Sequence, residues 1–245
     1  MNLASVEVVL VRPARAANVA AACRAMKNMG LSQLRLVEAA CDLTAPEARN
    51  LAYGAWDVLD SASRHDDLLG AVRESTLVVG TSGRVEAGDW TARALSARAA
   101  EWAAGGRISL VFGPEASGLR TDELRLCHRR VRVPTDPLHP SLNLAQAVLL
   151  LAYELRLAAA LPAAAEARPD TASAGAVEEA LQELREGLLG IGYLREQNPD
   201  KVLAELRQLV VRARPSVREV TLLRGVARQL RFAGTAIARR SGPSG

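Results

Sequence analysis

The sequence predicts an α/β domain built on a mostly parallel sheet with helices on both faces, followed by a small all-α C-terminal domain. Three observations carry that prediction. Five short apolar, β-branched runs alternate with helix-length segments over residues 6 to 160, the rhythm of strands joined by crossover helices. A stretch rich in Ala, Pro and small polar residues then interrupts the pattern. Beyond it the apolar period changes to that of amphipathic helices.

The strands are "VEVVLVR" (6–12), "LRLVE" (34–38), "TLVVGT" (76–81), "ISLVFG" (108–113) and "RVRVP" (130–134), each apolar enough to be buried on both faces. A helix over Ala16–Met29 stops at Gly30, and another starts near Thr121, two residues ahead of Glu123. The longest apolar helix lies within "HPSLNLAQAVLLLAYELR" (139–156). Residues 158–176, "AAALPAAAEARPDTASAGA", lack large apolar anchors and read as linker. Three helices follow at Val177–Leu189, Pro199–Arg212 and Val217–Leu230. Asn198 can cap the second ahead of Pro199, and Ser216 with Glu219 forms a capping-box pattern for the third. The expected organisation is therefore a main domain over 1–160, a linker over 161–176 and a helical basic domain over 177–245.

Composition excludes several classes. A chain of 245 residues with 49% hydrophobic and 24% charged residues is neither disordered nor fibrous. The opening "MNLASVEVVLVRP" has no basic flank and reads as a first strand, not an export signal. The apolar helix carries Asn143, Gln146, Glu154 and Arg156, too much polarity for a lipid-spanning segment. A cytoplasmic protein with no membrane partner is expected. Cys23, Cys41 and Cys127 show no paired framework and read as buried reduced thiols. From Arg195 to Arg240 there are eleven Lys/Arg against four Asp/Glu, a local +7 that leaves −3 for the remainder of a +4 chain. Basic character thus belongs to the tail, although Arg abundance alone is weak evidence for nucleic acid.

In parallel sheets ligands bind beyond the carboxyl ends of the strands, so the loops leaving those ends are where chemistry is expected. Three such loops are unusual. "VVGTSGR" exits at Gly80, Thr81 and Ser82; "LVFGPEASGL" exits at Gly113 and runs through Pro114, Glu115 and Gly118; "VRVPTDPLHPSLN" exits at Val133 and reaches Pro140, Ser141, Leu142 and Asn143. Small residues let backbone approach a flat ligand, and exposed amides and hydroxyls supply its hydrogen bonds. Taken singly, each loop is more often turn chemistry than a site, and Ser141 more commonly an ordinary helix N-cap. No GxGxxG follows the first strand, no phosphate-binding P-loop is present, and His65, His128 and His139 are scattered singly with no metal-ligand spacing. After the first strand comes "RPARAANVAAACRAMKNMG". In it Asn18 and Arg24 stand six apart, about 600° around a helix axis, hence not on one face if both are fully helical.

These motifs together resemble the SPOUT superfamily of RNA 2'-O-ribose methyltransferases, the TrmH family, and within it the branch that methylates tRNA. The likeness spans nearly the whole chain. Its first motif matches Asn18 and Arg24 with "AMKNMGL" after them, its second "LVFGPEASGL" with "TDEL", its third "SLNLAQAV"; "VVGTSGR" and "RARPSVREVTLLRG" are similar too. The family usually has Gly where this chain has Ala20, and the tRNA-specific branch commonly has Arg where this chain has Pro114. The added methyl of Ala20 is easily absorbed unless that position needs positive φ.

The resemblance implies S-adenosylmethionine as cofactor, a deep trefoil knot in the C-terminal part of the main domain, a homodimer in which both subunits contribute to the RNA site, and no metal. It implies cofactor contacts at Gly80, Thr81, Ser82, Gly113, Val133, Pro140, Ser141 and Leu142, and a catalytic set of Arg24, Ser141, Asn18, Asn143 and Glu115. The implied target is a ribose at nucleotide 32 of the tRNA anticodon loop, with the basic tail holding phosphates. Two alternatives stay open: the same reaction on ribosomal RNA or on another tRNA nucleotide, and an RNA-binding protein whose methylation site has decayed.

Overall fold

The computed structural model describes residues 2–83, 88–103, 106–160, 170–194 and 199–240. The chain divides into two compact units, Met1–Pro169 and Asp170–Gly245. The first holds seven strands: β1 Val6–Val11, β2 Gln33–Val37, β3 Ser63–His65, β4 Ser75–Thr81, β5 Trp90–Thr91, β6 Arg107–Phe112 and β7 Arg129–Arg132. They pair in parallel in the order β3-β2-β1-β6-β4-β7-β5. Its helices are α1 Ala16–Asn28, α2 Pro46–Leu51, α3 Trp56–Asp60, α4 Leu68–Val72, α5 Ala92–Ala103, α6 Thr121–Leu126 and α7 Leu144–Ala160.

Every residue of β1 is buried, because β2 and β6 flank it and helices cover it. One of those residues is Glu7, whose carboxylate is met by Arg35 (2.6 Å), Arg107 (2.8 Å) and the Ser109 hydroxyl (3.2 Å). Burying a charge is costly unless it is paired and hydrogen-bonded, and here both conditions hold. On α7, Leu144, Val148, Leu151, Ala152 and Leu155 form the buried stripe at helical spacing. That stripe joins the main core, and α7 packs against both α1 and α5. Among the described residues no helix is long and apolar enough to cross a membrane.

All five expected strands form, within a residue or two of their predicted bounds. β3 and β5 went unforeseen because three and two residues are too few to show a period. β5 holds its place through Trp90, buried with the guanidinium groups of Arg98 and Arg129 over its ring at 5.7 and 5.8 Å. Helix α1 ends as expected, with Gly30 at φ 78°. The cysteine expectation needs one correction. Cys23 and Cys127 are buried, and burial pushes the Cys23 thiol up to about 12, but Cys41 is partly exposed on the loop after β2.

The second unit contains α8 Ala174–Gly190, α9 Pro199–Ala213 and α10 Val217–Arg240. The linker expected to run through residue 176 stops earlier. Thr171 bridges Ser216, the Ala172 N–H donates to Pro215 O (2.9 Å), the Val217 N–H donates to Asp170 O (2.8 Å), and Ser173 caps α8. Residues 161–169 and the proposed cap Asn198 lie outside the described residues. The capping box of α10 forms: the Ser216 N–H donates to Glu219 (2.7 Å) and the Glu219 N–H to Ser216 Oγ (3.2 Å).

Helix α10 runs ten residues past Leu230 because small residues let it lie tightly on α8. A Cβ on Gly234 would stand 2.7 Å from the Gly190 carbonyl carbon, and one on Gly187 would stand 2.8 Å from Leu230 Cβ. The tail's positive charge is largely balanced by α8. Arg207 pairs with Glu178, Arg224 with Glu183 (2.6 Å) and Arg231 with Glu186 (3.1 Å). Counted over 170–245, twelve Lys/Arg face nine Asp/Glu, a net +3 in place of the +7 of its C-terminal stretch.

Candidate active site

Strand order brings the motif loops together. The loops after β1, β6, β4 and β7 leave four strands that are consecutive in the sheet, all at their carboxyl ends. The chain proceeds from β1 toward β2 and β3 on one side and fills the other side later, so the order reverses beside β1, where a crevice opens in such sheets.

The glycines of these loops serve the protein's own packing. A Cβ on Gly113 would lie 2.3 Å from Gly118 C and from Leu119 N. The loop folds back on itself there, with Gly118 at φ 67° and its N–H donating to Pro114 O (2.8 Å). A Cβ on Gly80 would lie 2.6 Å from Cys127 Sγ and 3.2 Å from Leu119 Cδ1. Close approach to a ligand was the expected reason for both glycines; the observed neighbours are backbone and side chains of the same domain. Thr81 Oγ1 donates to Val111 O (3.1 Å) and the Ser82 N–H to Val131 O (3.0 Å), which ties the β4 exit to β6 and β7.

In the first motif Asn18 occupies the first turn of α1, and its amide donates to the Glu115 carboxylate of the β6 loop. Two predicted residues 97 apart in sequence thus meet. Ala20 is fully buried and helical, absent from the positive-φ residues, so the core absorbs its methyl. Arg24 stands on the exposed side of α1 and has no hydrogen-bond or ion-pair partner among the described residues. No hydrogen bond or ion pair joins it to Asn18, Glu115, Ser141 or Asn143 among the described residues.

In the third motif Val133 packs against the main core, while Thr135 Oγ1 donates to Pro140 O (3.0 Å) across the loop. Asn143, not Ser141, caps α7. Its Oδ1 accepts from the Ala145 N–H (2.8 Å), and its own N–H donates to Gln146 Oε1 (3.1 Å), a reciprocal cap. The exposed Ser141 hydroxyl and the backbone N–H groups of Ser141 and Leu142 make no hydrogen bond among the described residues. Asn143→Ala is expected to cost about 1 kcal/mol of stability, and Ser141→Ala to stay within about 0.5 kcal/mol. Chemical denaturation of both variants checks the contrast, and equal losses would return the capping role to Ser141.

Sequence reasoning missed one pair. Arg12, at the end of β1 with φ 46°, makes a two-point contact with Glu123 in the first turn of α6; Nη2 meets Oε2 at 3.0 Å, and Nη1 meets Oε1 and lies 3.5 Å from Glu38. Glu123 Oε2 also accepts the Arg120 N–H (2.7 Å). The available signal was "TDEL", read as a helix start and as the end of the second motif but not as a partner for Arg12. Burial pushes the Glu123 carboxyl up, but the Arg12 hydrogen bond and then the Arg120 N–H outweigh it and hold the net value below the ordinary carboxylate range. A folded value below the unfolded one stabilises the fold above about pH 4.3, and the gain is lost as pH falls through the folded value. Arg12, raised by the same Glu123 hydrogen bond, stays charged throughout. The stability gap between wild type and Glu123→Gln should therefore narrow on acidification from about pH 6 to about pH 3. A constant gap in denaturant midpoints would contradict this.

Geometry of this kind is that of an α/β enzyme binding a small ligand across the carboxyl ends of its strands. Comparison with known proteins makes the class specific. Residues 5–153 match the SpoU rRNA methylase family, and residues 175–241 match the C-terminal domain of tRNA methyltransferase TrmJ. The chain belongs to the SpoU methylase family and is an RNA methyltransferase. It is 37% identical over 91% of its length to the tRNA (cytidine/uridine-2'-O-)-methyltransferase TrmJ of Yersinia enterocolitica, covering 90% of that protein. The crystal structure of TrmJ from Z. mobilis ZM4 superposes with a TM-score of 0.77 at 32% identity, over 91% of this chain and 98% of that one. A structure described as giving insights into the 2-OH methylation of C/U34 on tRNA superposes with a TM-score of 0.51 at 25% identity, over 63% of this chain and 95% of that one.

Proposed function

We propose that the protein methylates the 2'-hydroxyl of a ribose in tRNA, at nucleotide 32 of the anticodon loop, using S-adenosylmethionine. The observation that carries this reading is the division of labour at the head of α7: Asn143 does the capping, which leaves the Ser141 hydroxyl and two loop amides unengaged among the described residues. Similarity to tRNA 2'-O-methyltransferases over both units supports the substrate class.

The β7 loop fits a cofactor of this kind. Ser141 and Leu142 offer unused backbone donors beside Pro140 among the described residues, and the neighbouring exits at Gly80, Thr81, Ser82, Gly113 and Val133 would complete the enclosure in the deep knot proposed for the C-terminal part of the first unit. When bound, S-adenosylmethionine supplies a methyl group on positively charged sulfur.

The chain's own residues must orient the ribose and stabilise charge growing on its 2'-oxygen. Arg24 is the natural group, being exposed and uncommitted among the described residues. A guanidinium with a pKa above about 12 is a poor base, so its role is to grip the adjacent phosphate and the developing alkoxide while the proton leaves to phosphate or water. Glu115 fixes the Asn18 amide and so the entry to α1. Ser141 hydrogen-bonds substrate or orients Arg24, and Asn143 braces the loop through its cap. Because no hydrogen bond or ion pair joins Arg24 to the other candidates among the described residues, a homodimer is proposed to complete the site. Leu149, Leu150, Tyr153 and Leu157, 37–45% exposed along α7, offer apolar surface for the second copy. The helical unit supplies phosphate contacts through exposed Lys201, Arg212, Arg218 and Arg228.

The test is to incubate purified protein with labelled S-adenosylmethionine and total tRNA or rRNA, then map the modified nucleotide. Label at tRNA nucleotide 32 is expected. Label at nucleotide 34 or in rRNA would change the substrate assignment, and RNA binding without label would remove the enzymatic reading for this chain.

A further inference from the structure

We infer that Arg12 and Glu123 are a positioning pair that sets the spacing between the segment entering α1, which carries Asn18, and the loop carrying Glu115; the inference rests on the methyl-transfer reading above. Two bridges join the same two segments. Asn18 reaches Glu115, and Arg12 reaches Glu123, spanning 97 and 111 residues of sequence. The stretch after β1 is thereby fastened at both ends to the stretch running from β6 into α6.

The Arg12 bridge is the more enclosed of the two. Its partners are 18% and 9% exposed, and the contact is a fork-to-carboxylate pair with two parallel hydrogen bonds, a geometry that fixes orientation as well as distance. Capping α6 requires only Glu123 Oε2 and the Arg120 N–H. The other oxygen and the second guanidinium contact are beyond what a cap needs. Arg12 also adopts a left-handed backbone conformation that favours glycine, while its N–H continues the ladder to Val37 O (2.8 Å). A residue with a long side chain stands at this position against local backbone preference, which points to use of the side chain.

The consequence falls on the loop 113–119. Its upstream end is set by β6, whose Phe112 lies in register with Leu10 of β1. Its downstream end is set at Arg120 by Glu123, and Glu123 is set by Arg12. The loop that carries Glu115 and crosses the strand ends is therefore strung between two points both referenced to β1. Arg12 and Glu123 act on the reaction through Asn18 and Glu115 and touch no reacting atom.

The test uses the full chain with Arg12→Gln, Glu123→Gln and the double variant. Gln at 123 still accepts the Arg120 N–H, so the cap is kept. Each single change should lower kcat with tRNA and S-adenosylmethionine by about tenfold to a hundredfold while KM for tRNA moves less than about twofold. The double variant should be no slower than the slower single one, because either change alone dissolves the unit. Amide exchange should rise at the non-proline residues of 14–18 and 113–119 in all three variants and stay unchanged in α7. Unaltered kcat, multiplicative losses in the double variant, or exchange raised evenly across the first unit would overturn the inference in favour of a purely structural pair. A wild type inert toward every RNA would remove the functional reading, and unchanged exchange at the two segments would still separately refute the clamp.

Discussion

Arg24→Ala is expected to lower kcat for methyl transfer by about a hundredfold to a thousandfold, the range for removing one donor aimed at developing negative charge. Stability should scarcely change. The guanidinium is exposed and unpartnered among the described residues, and surface substitutions of that kind stay within about 0.5 kcal/mol. Arg24→Lys is the sharper variant: it keeps the charge and loses the planar fork that can hold a phosphate oxygen and the alkoxide together. It should retain tRNA binding and lose most of the turnover. Single-turnover transfer of labelled methyl, with thermal unfolding alongside, checks both variants. Full turnover by Arg24→Lys with an unchanged pH profile would remove two-point recognition from the mechanism.

Gly113→Ala should be the most damaging single methyl in the first unit. The new Cβ would lie 2.3 Å from both Gly118 C and Leu119 N. These are backbone atoms, which cannot swing aside as a side-chain tip can, so the loop must open. Overpacking of this kind costs about 1–3 kcal/mol. The opening also displaces the segment between Glu115 and α6, so cofactor affinity should fall together with stability. Gly83→Ala is the matched control, since nothing among the described residues lies within 4 Å of its added Cβ. Calorimetric titration with S-adenosylmethionine and denaturant midpoints read the two effects separately. A Gly113→Ala protein with wild-type stability and binding would mean the loop yields far more easily than its packing implies.

The five longer strands were legible in the sequence because each is a continuous apolar run, and that pattern has one physical solution, burial between helical layers. Helix ends were legible where a residue carries its own signal: Gly30 after α1, and Ser216 with Glu219 before α10. The far end of α10 was not, because its last turns continue on the strength of Gly234 lying against Gly190, a contact between residues far apart in the chain. The tail's charge misled for a similar reason. A count along the chain omits the acidic side chains of α8 that fold back to pair with Arg207, Arg224 and Arg231.

Within the candidate site, the sequence marked loops that leave adjacent strands but could not assign tasks among neighbouring residues. In "SLN" the expected cap was Ser141, and only the position of the first helical N–H groups gives that task to Asn143. Gly80 and Gly113 were marked as special for a ligand's approach, and the structure adds a second reason, since the chain returning from Cys127 and Gly118 presses on them.

Sequence alone determined the class of fold, the family and the set of motif loops, because periodicity and motif spacing are local properties of the chain. Tertiary structure alone decided that those loops leave adjacent strands, that Asn18 meets Glu115 and that Arg12 meets Glu123. Strand order and long-range ion pairs depend on which distant segments share a surface, and no local pattern encodes that.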